Sequence, residues 1–419
     1  MAMTAGLDLC DDVSQISVSK GEDGNREVTT LPVVVGSEKY CINTVAMKMK
    51  NRNDWLFGEE AMRENPEEGY LLKDLLSLAV KKQSLELEGE VFDTAWILSG
   101  FIKSMLRRVT SSASWKEDSV LYITVRRLDS RMVEVLKGVA GRLDLRGARV
   151  RFLSHAESFF YYSASQPEEL RLHKVCLLDY DGSRVRTGML STNRQMKPSV
   201  TMIEEREFEL PEKNDRDLLD ICREVMDSEI ISSVYLAGQA FEGNWETETI
   251  KYLCMKRRRV FQGMNLYTKG ACYAAMDKAG ETCLSDNEVF LDKDKLKSNI
   301  GMDLAHGDQV HYRALIDAGI NWFDARADID VMIGKEKEIR IILTPIIGNE
   351  KRCVVLRMDF IPDRPERASR VNLKIWMKSA DEMVCRVRDL GFGEIFPSTG
   401  NEVEETVSLT ESRSDTSDL

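Results

Sequence analysis

Apolar positions along the first two thirds of the chain follow two alternating periods. Short apolar or β-branched runs bounded by turn residues predict strands at Leu31–Ser37, Ser119–Arg126, Ala148–Ser154, Lys174–Gly182 and Ser232–Gly238. Between them, Val91–Val109, Ser130–Leu143 and Asp215–Ser228 repeat apolar residues at i, i+3, i+4, which predicts helices. Alternation of this kind implies a layered α/β domain. Near residue 285 the helical period fades. Glu338–Ile347, Lys351–Ile361, Ser369–Lys378 and Glu382–Gly391 read as strands at short intervals, with HYRALIDAGINW before them and EVEETVSL after. Regular short strands with Gly, Asn and Pro turns predict a β-sandwich. The last residues, 411–419, have almost nothing to bury and are expected to be disordered. At the junction, Val289, Phe290 and Leu291 form a small apolar group among charges. It reads either as the first strand of the second domain or as a linker that docks on the first domain in one state.

Length and composition narrow this picture. A chain of 419 residues exceeds one ordinary core, given about 100–200 residues per domain, so two or three domains are expected. Hydrophobic residues at 43% and charged residues at 31% fit a globular chain and exclude a wholly disordered or collagen-like one. A net charge of -12 gives no global attraction for nucleic acid or anionic membrane. No apolar run approaches the roughly 20 residues a membrane span needs, and no secretory signal is read at the N-terminus. Nine widely spaced cysteines, none two residues from another, predict reduced buried thiols and a cytoplasmic location. Zinc or redox pairing is the lesser alternative.

No nucleophile elbow, Walker lysine loop or zinc motif is present. The candidate chemistry lies in turns at strand ends. GLDLCDDVSQISV from Gly6 and LLDYDGSRVRTGML from Leu177 both read as strand, tight turn, strand, with an Asp closing the first strand. VYLAGQAFEGNW from Val234 ends a strand in Gly, and NLYTKGACYAA from Asn265 reads as a small-residue helix. Hairpin turns can offer backbone N–H groups to a phosphate, and an Asp there can hold magnesium through water. Asp and Gly are also ordinary turn formers. Lys256, Arg257, Arg258 and Arg259 read as a solvated helix end or as a phosphate or partner contact; Trp322, Phe323 and Trp376 read as sandwich core.

Taken in order, these segments resemble the actin, hexokinase and heat-shock ATPase superfamily, and within it the seventy-kilodalton heat-shock chaperones. LPVVVGS, WLFGEEAMREN, LLKDLLSL, YITVRRLDSRMVEVLKGVAG and VRFLSHAESFFYY resemble successive segments of that family's nucleotide-binding domain. VFLDKDKLKSNIGMDL resembles its linker and first sandwich strand. DFIPDRPERASRVNLKIWMKSADEMVCRVRDLGFGE resembles part of its peptide-binding domain. The resemblance implies an α/β actin-like ATPase fold of two lobes followed by an all-β sandwich. The expected boundaries are 1–284 for the nucleotide-binding-like domain, 285–298 for the linker and 299–410 for the sandwich. It implies ATP or ADP with magnesium as cofactors and a protein or peptide client. By position, Asp8 and Asp179 take the two metal-proximal hairpin aspartates, Lys73 the catalytic lysine and Glu157 a catalytic glutamate ordering magnesium and water. Gly182 falls in the second phosphate turn, Gly238 on the first adenosine glycine and Gly270 on the closing helix.

The departures from the family are as specific. Cys10, Asp11 and Asp12 stand where it has Gly-Thr-Thr, placing two carboxylates where a polyphosphate is expected. Tyr180, Asp181, Gly182 and Ser183 replace its glycine-rich second turn, Arg186 falls on a further aspartate, and Gln239 replaces the second adenosine glycine. Only 55 positions separate Asp179 from Val234, where the chaperones insert an adenine-clamping lobe. No helical lid is read after the sandwich. Three functions stay open: a slow chaperone-like ATPase switch, a pseudo-ATPase scaffold binding a partner constitutively, and a small-molecule kinase on the same fold.

Overall fold

The computed structural model describes residues 3–20, 27–34, 36–50, 52–109, 115–145, 147–306, 309–348, 350–365 and 368–409. The tail 411–419, expected to be disordered, lies outside them. The chain forms two compact units, Met1–Asp292 and Lys293–Leu419. The first is mixed α/β and the second is β-rich.

The first unit repeats one plan twice. A hairpin of Thr4–Asp8 and Val13–Lys20 is extended by Glu27–Thr30 on one side. On the other side Val120–Val125 and then Arg149–Ser154 add in parallel. The second sheet follows the same path. Its hairpin is Lys174–Tyr180 with Arg184–Asn193, extended by Ser199–Glu209, with Ile231–Ala237 and Arg259–Gln262 parallel on the far side. Helices Thr94–Val109, Ser130–Arg142 and His155–Ala164 follow the strands of the first copy, and Asp215–Met226, Thr247–Leu253 and Leu266–Lys278 those of the second. Polar caps begin several of these helices. Asp129 accepts from the Met132 amide, Ser154 from the Glu157 amide, and Asn214 from the Arg216 and Asp217 amides.

The last helix of each copy packs across the boundary between the two sheets. Phe159 and Phe160, on the helix that ends the first copy, are buried with Val175, Leu177 and Tyr235 of the second sheet. Leu266–Lys278 returns the exchange: Ala271 and Ala274 bury against Leu153, and Cys272 and Met276 against Val28. Thr268 donates its hydroxyl to the Gly6 carbonyl at 2.9 Å. The two exchanged helices cross at Gly270, where a Cβ would lie 2.0 Å from the Ser158 carbonyl oxygen. Small residues at this crossing are therefore a packing requirement.

Two sequence expectations change here. The described residues of Leu31–Ser37 form no strand; the strand is Glu27–Thr30, and the chain then leaves the sheet. Pro32 has no amide to donate, and Val33 instead closes a loop onto Lys39. The junction group forms strand Glu288–Leu291, which pairs in parallel with Ser199–Glu209 as the outer strand of the second sheet. Phe290 stacks on Phe160 with ring centroids 4.8 Å apart. These residues belong to the first unit, not to the start of the second.

The second unit contains two four-stranded antiparallel sheets. One runs Gln309–Ile316, Ser298–His306, Glu338–Pro345, Arg352–Arg357; the other runs Arg326–Met332, Arg370–Ser379, Glu382–Gly391, Glu402–Ser408. Burial alternates with the strand period: Val371, Leu373, Ile375 and Met377 point inward. Trp322 is buried in this unit, whereas Trp376 lies on the opposite, half-buried face of its strand under the Arg386 guanidinium.

Candidate functional site

The two hairpins bring their closing aspartates to the carboxyl ends of parallel strands, where α/β sheets commonly place chemistry. Asp8 ends the first strand of the first hairpin and lies in register with Thr124 of the parallel neighbour. Asp179 lies in register with Ala237 in the second sheet. Both are buried.

The first turn does not present its carboxylates as the sequence suggests. Asp11 accepts hydrogen bonds from the Ser77 amide at 2.8 Å and the Ser77 hydroxyl at 2.6 Å. It thereby satisfies a free amide in the first turn of helix Leu75–Lys81, which its own preceding residue, Asp74, leaves uncapped. Asp12 is exposed. Asp11→Ala is expected to cost about 1–2 kcal/mol, the range for losing a helix-capping acceptor, measured by urea denaturation. A stability unchanged within error would show that the carboxylate is incidental.

The second turn is closed by its own aspartate. Asp181 accepts from the amides of Ser183 and Arg184, each at 2.9 Å, from the Ser183 hydroxyl, and from the Arg186 guanidinium at 2.7 Å. Burial opposes the charge, but the Ser183, Arg186 and Arg184 donors outweigh it and hold the carboxyl well below the usual carboxylate range. The amides that a phosphate would need at this turn thus already face an anion. Arg184 and Arg186 are likewise engaged, with Glu207 at 2.9 and 3.4 Å. Gly182 allows the turn its φ of 98°. Gly238 sits against the base of the same hairpin, where a Cβ would be 2.1 Å from the Tyr180 carbonyl oxygen. Gln239 is exposed beyond it.

Between the hairpins, a polar chain links both aspartates. His155 Nε2 is 2.8 Å from Asp8 Oδ1. The Cys10 thiol donates to the same oxygen at 3.6 Å and lies 3.9 Å from His155 Nε2. The His155 ring stacks on Tyr267 with centroids 3.9 Å apart and planes 14° from parallel. Tyr267 donates its hydroxyl to Asp179 Oδ2 at 3.0 Å, and Arg126 pairs with that oxygen at 3.8 Å. Burial pushes the Cys10 thiol well up, with Asp8 adding to it and Arg126 opposing. Burial, and then Asp179, do the same to the Tyr267 phenol. Both groups are therefore protonated donors at neutral pH. His155 directs its contacts through Nε2; its Nδ1 is buried without a hydrogen-bond partner.

The other sequence candidates fall around this centre. Lys73 is exposed, between strand Gly69–Leu72 and the helix that Asp11 caps. Glu157 is buried on helix His155–Ala164; burial, and then Glu157, push the Tyr161 phenol well up. The side chain of that helix bonded to Asp8 is His155, two residues earlier. Gly270 lies at the helix crossing. In the basic run, Arg258 is no solvated helix end: it is buried over the Tyr252 ring and donates to the Tyr252 and Met255 carbonyls. His155, Tyr267 and Arg126 were not singled out by the sequence. Two carry a usable signal, since Arg126 ends one predicted parallel strand and His155 directly follows another.

Fold and site together define a duplicated α/β unit with a polar centre between its two hairpins, followed by an all-β unit. The chain belongs to the family of unknown function DUF5716, C-terminal part, whose model matches residues 27–293. Residues 295–409 match the domain of unknown function DUF8552, so the family boundary coincides with that between the compact units. No curated protein matches the chain. Among the described residues, no helix is long and apolar enough to cross a membrane.

Proposed function

We propose that this chain is a non-hydrolysing relative of the actin and heat-shock ATPases, in which the first unit is a scaffold and the all-β unit carries contact with a protein partner. Support for the superfamily comes from the repeated sheet plan, with an Asp hairpin opening each copy and the final helices exchanged. The observation that carries the scaffold reading is the occupancy of the polar groups between the hairpins. Asp8 is taken by His155, Asp179 by Tyr267 and Arg126, and the second turn's amides by Asp181. Magnesium and a polyphosphate would need the same atoms, so the residues present fit that cofactor poorly. A partner-binding role for the second unit is supported by strand Gln309–Ile316. It is an outer strand of its sheet, and it exposes Val310 and Tyr312. Such an edge can accept another chain's backbone.

Calorimetry of the full chain with ATP and magnesium tests this reading. The expected result is no saturable heat and no phosphate release. Limited proteolysis around Asp286–Asn299 is expected to be equal with and without ATP, because Glu288–Leu291 is a sheet strand. One-to-one binding with ATP-dependent cleavage would instead establish the switch, in which Asp8 and Asp179 serve as the metal-proximal pair.

A further inference from the structure

We infer that Asp8, Cys10 and His155 form a binding site for a divalent transition metal of the zinc class. Three different donors converge: a carboxylate oxygen, a thiol sulfur and an imidazole nitrogen, on the turn of the first hairpin and on the helix after the outer parallel strand. Their separations are 2.8 Å for Asp8 Oδ1 to His155 Nε2, 3.6 Å for Asp8 Oδ1 to Cys10 Sγ, and 3.9 Å for Cys10 Sγ to His155 Nε2. A tetrahedral zinc, with bonds of ~2.0–2.1 Å to N and O and ~2.3 Å to S, needs donors about 3.3–3.6 Å apart. The three gaps thus lie within about half an ångström of a tetrahedral face. Side-chain shifts smaller than a rotamer change would complete it.

The donor set also selects the ion. Magnesium needs near-octahedral oxygen ligands and gains little from sulfur or imidazole. Thiolate, imidazole and one carboxylate suit zinc, cobalt or ferrous iron. The His155 ring is fixed in a ligating orientation by its stack on Tyr267, whose own hydroxyl is anchored on Asp179. The stack directs Nε2 at Asp8 and Cys10 and leaves little freedom to turn away. Of the three donors, Cys10 is the one that is not fully buried. Binding expels the Cys10 thiol proton to solvent. Ligation through Nε2 leaves the ring proton on Nδ1, so the proton lost from the site is that of the Cys10 thiol, one per ion. A water takes the fourth position, as in sites with three protein ligands. The site shares Asp8 with the cofactor weighed above, and its test contains no nucleotide, so the two outcomes are read separately.

The test is titration of the purified, metal-stripped full chain with cobalt(II), followed by absorption spectroscopy and zinc competition. The expected result is one equivalent of cobalt with tetrahedral visible bands and a near-ultraviolet thiolate-to-cobalt band, displaced by zinc and unaffected by excess magnesium. Cys10→Ser should abolish the thiolate band. His155→Asn should weaken cobalt by more than the roughly 10–100-fold that loss of an outer-sphere partner costs. Cys10→Ser is a near-isosteric change on the hairpin turn, so it keeps the test readable if His155→Asn fails to fold. A thiolate band that survives Cys10→Ser would assign the ion to another of the free cysteines and overturn the inference. So would the absence of any such band in the parent chain.

Discussion

Arg364→Ala is expected to destabilise the all-β unit by about 3–5 kcal/mol, the cost of leaving a buried charge without its partner. Arg364 makes two parallel bonds to Asp389, at 2.7 and 2.8 Å, and Asp389 is fully buried in strand Glu382–Gly391. The same carboxylate accepts from the amides of Gly391 and Thr399 and from the Thr399 hydroxyl. It therefore ties the end of the strand to the loop that follows. The Arg364 bonds, against the opposing effect of burial, hold Asp389 well below the usual carboxylate range, with Thr399 and Gly391 adding to the effect. Its folded value is thus below its unfolded value of about 3.9. The stabilisation is present above that unfolded value and is lost as pH falls through the folded one. In Arg364→Ala this acid-dependent loss should shrink, because the principal group lowering the pKa is gone. Arg364→Lys should recover only part of the stability, since an ammonium cannot reproduce the forked contact. Hydrogen exchange of Glu382–Gly391 against pH reads both effects. Unchanged protection in Arg364→Ala would mean that the amide and hydroxyl donors alone hold the loop.

The legible parts of the fold were those fixed by local period. Strands Val120–Val125 and Lys174–Tyr180, and helix Ser130–Arg142, fall within a few residues of their expected limits: the strands are short apolar runs buried on both faces, the helix has one buried stripe, and each has a turn or cap at its end. Leu31–Ser37 shows the limit of that rule. Its apolar content matches a strand, yet Pro32 removes a donor that the sheet would need. The Asp-bearing hairpins were legible for the same local reason. Their use was not, because it depends on contacts far along the chain. Asp11 meets Ser77 across 66 positions, and Asp8 meets His155 across 147. The family resemblance, carried over by position, pointed to Glu157 as the functional carboxylate of its helix. Ser154 caps that helix, and the next residue, His155, takes the contact with Asp8. Nothing in local sequence marks Tyr267, whose role comes from the exchange of helices between the two sheets.

Gly270→Ala tests that exchange and should cost about 3 kcal/mol, at the upper end of overpacking effects. In isolation the substitution would favour the helix by up to about 1 kcal/mol. At Gly270 the added carbon meets the Ser158 carbonyl oxygen at 2.0 Å and the Ser158 carbonyl carbon at 2.7 Å. Both are backbone atoms of the facing helix, so no rotamer change relieves the clash, and the helices must separate. One carries His155 and the other Tyr267, so separation also loosens the 3.9 Å stack on which the polar centre rests. Cys10, at that centre, should then react faster with a thiol reagent. Gly141 supplies the opposite case, being in helix Ser130–Arg142 with nothing within 4 Å of its would-be Cβ. Gly141→Ala should stabilise the chain by roughly 0.4–1 kcal/mol through the unfolded state alone. Urea denaturation of both variants, with Cys10 labelling rates, gives the comparison. Equal and positive changes at the two glycines would mean that the helix crossing is not close-packed. Opposite signs, with faster Cys10 labelling only in Gly270→Ala, would tie the close approach of the two helices directly to the geometry of the site.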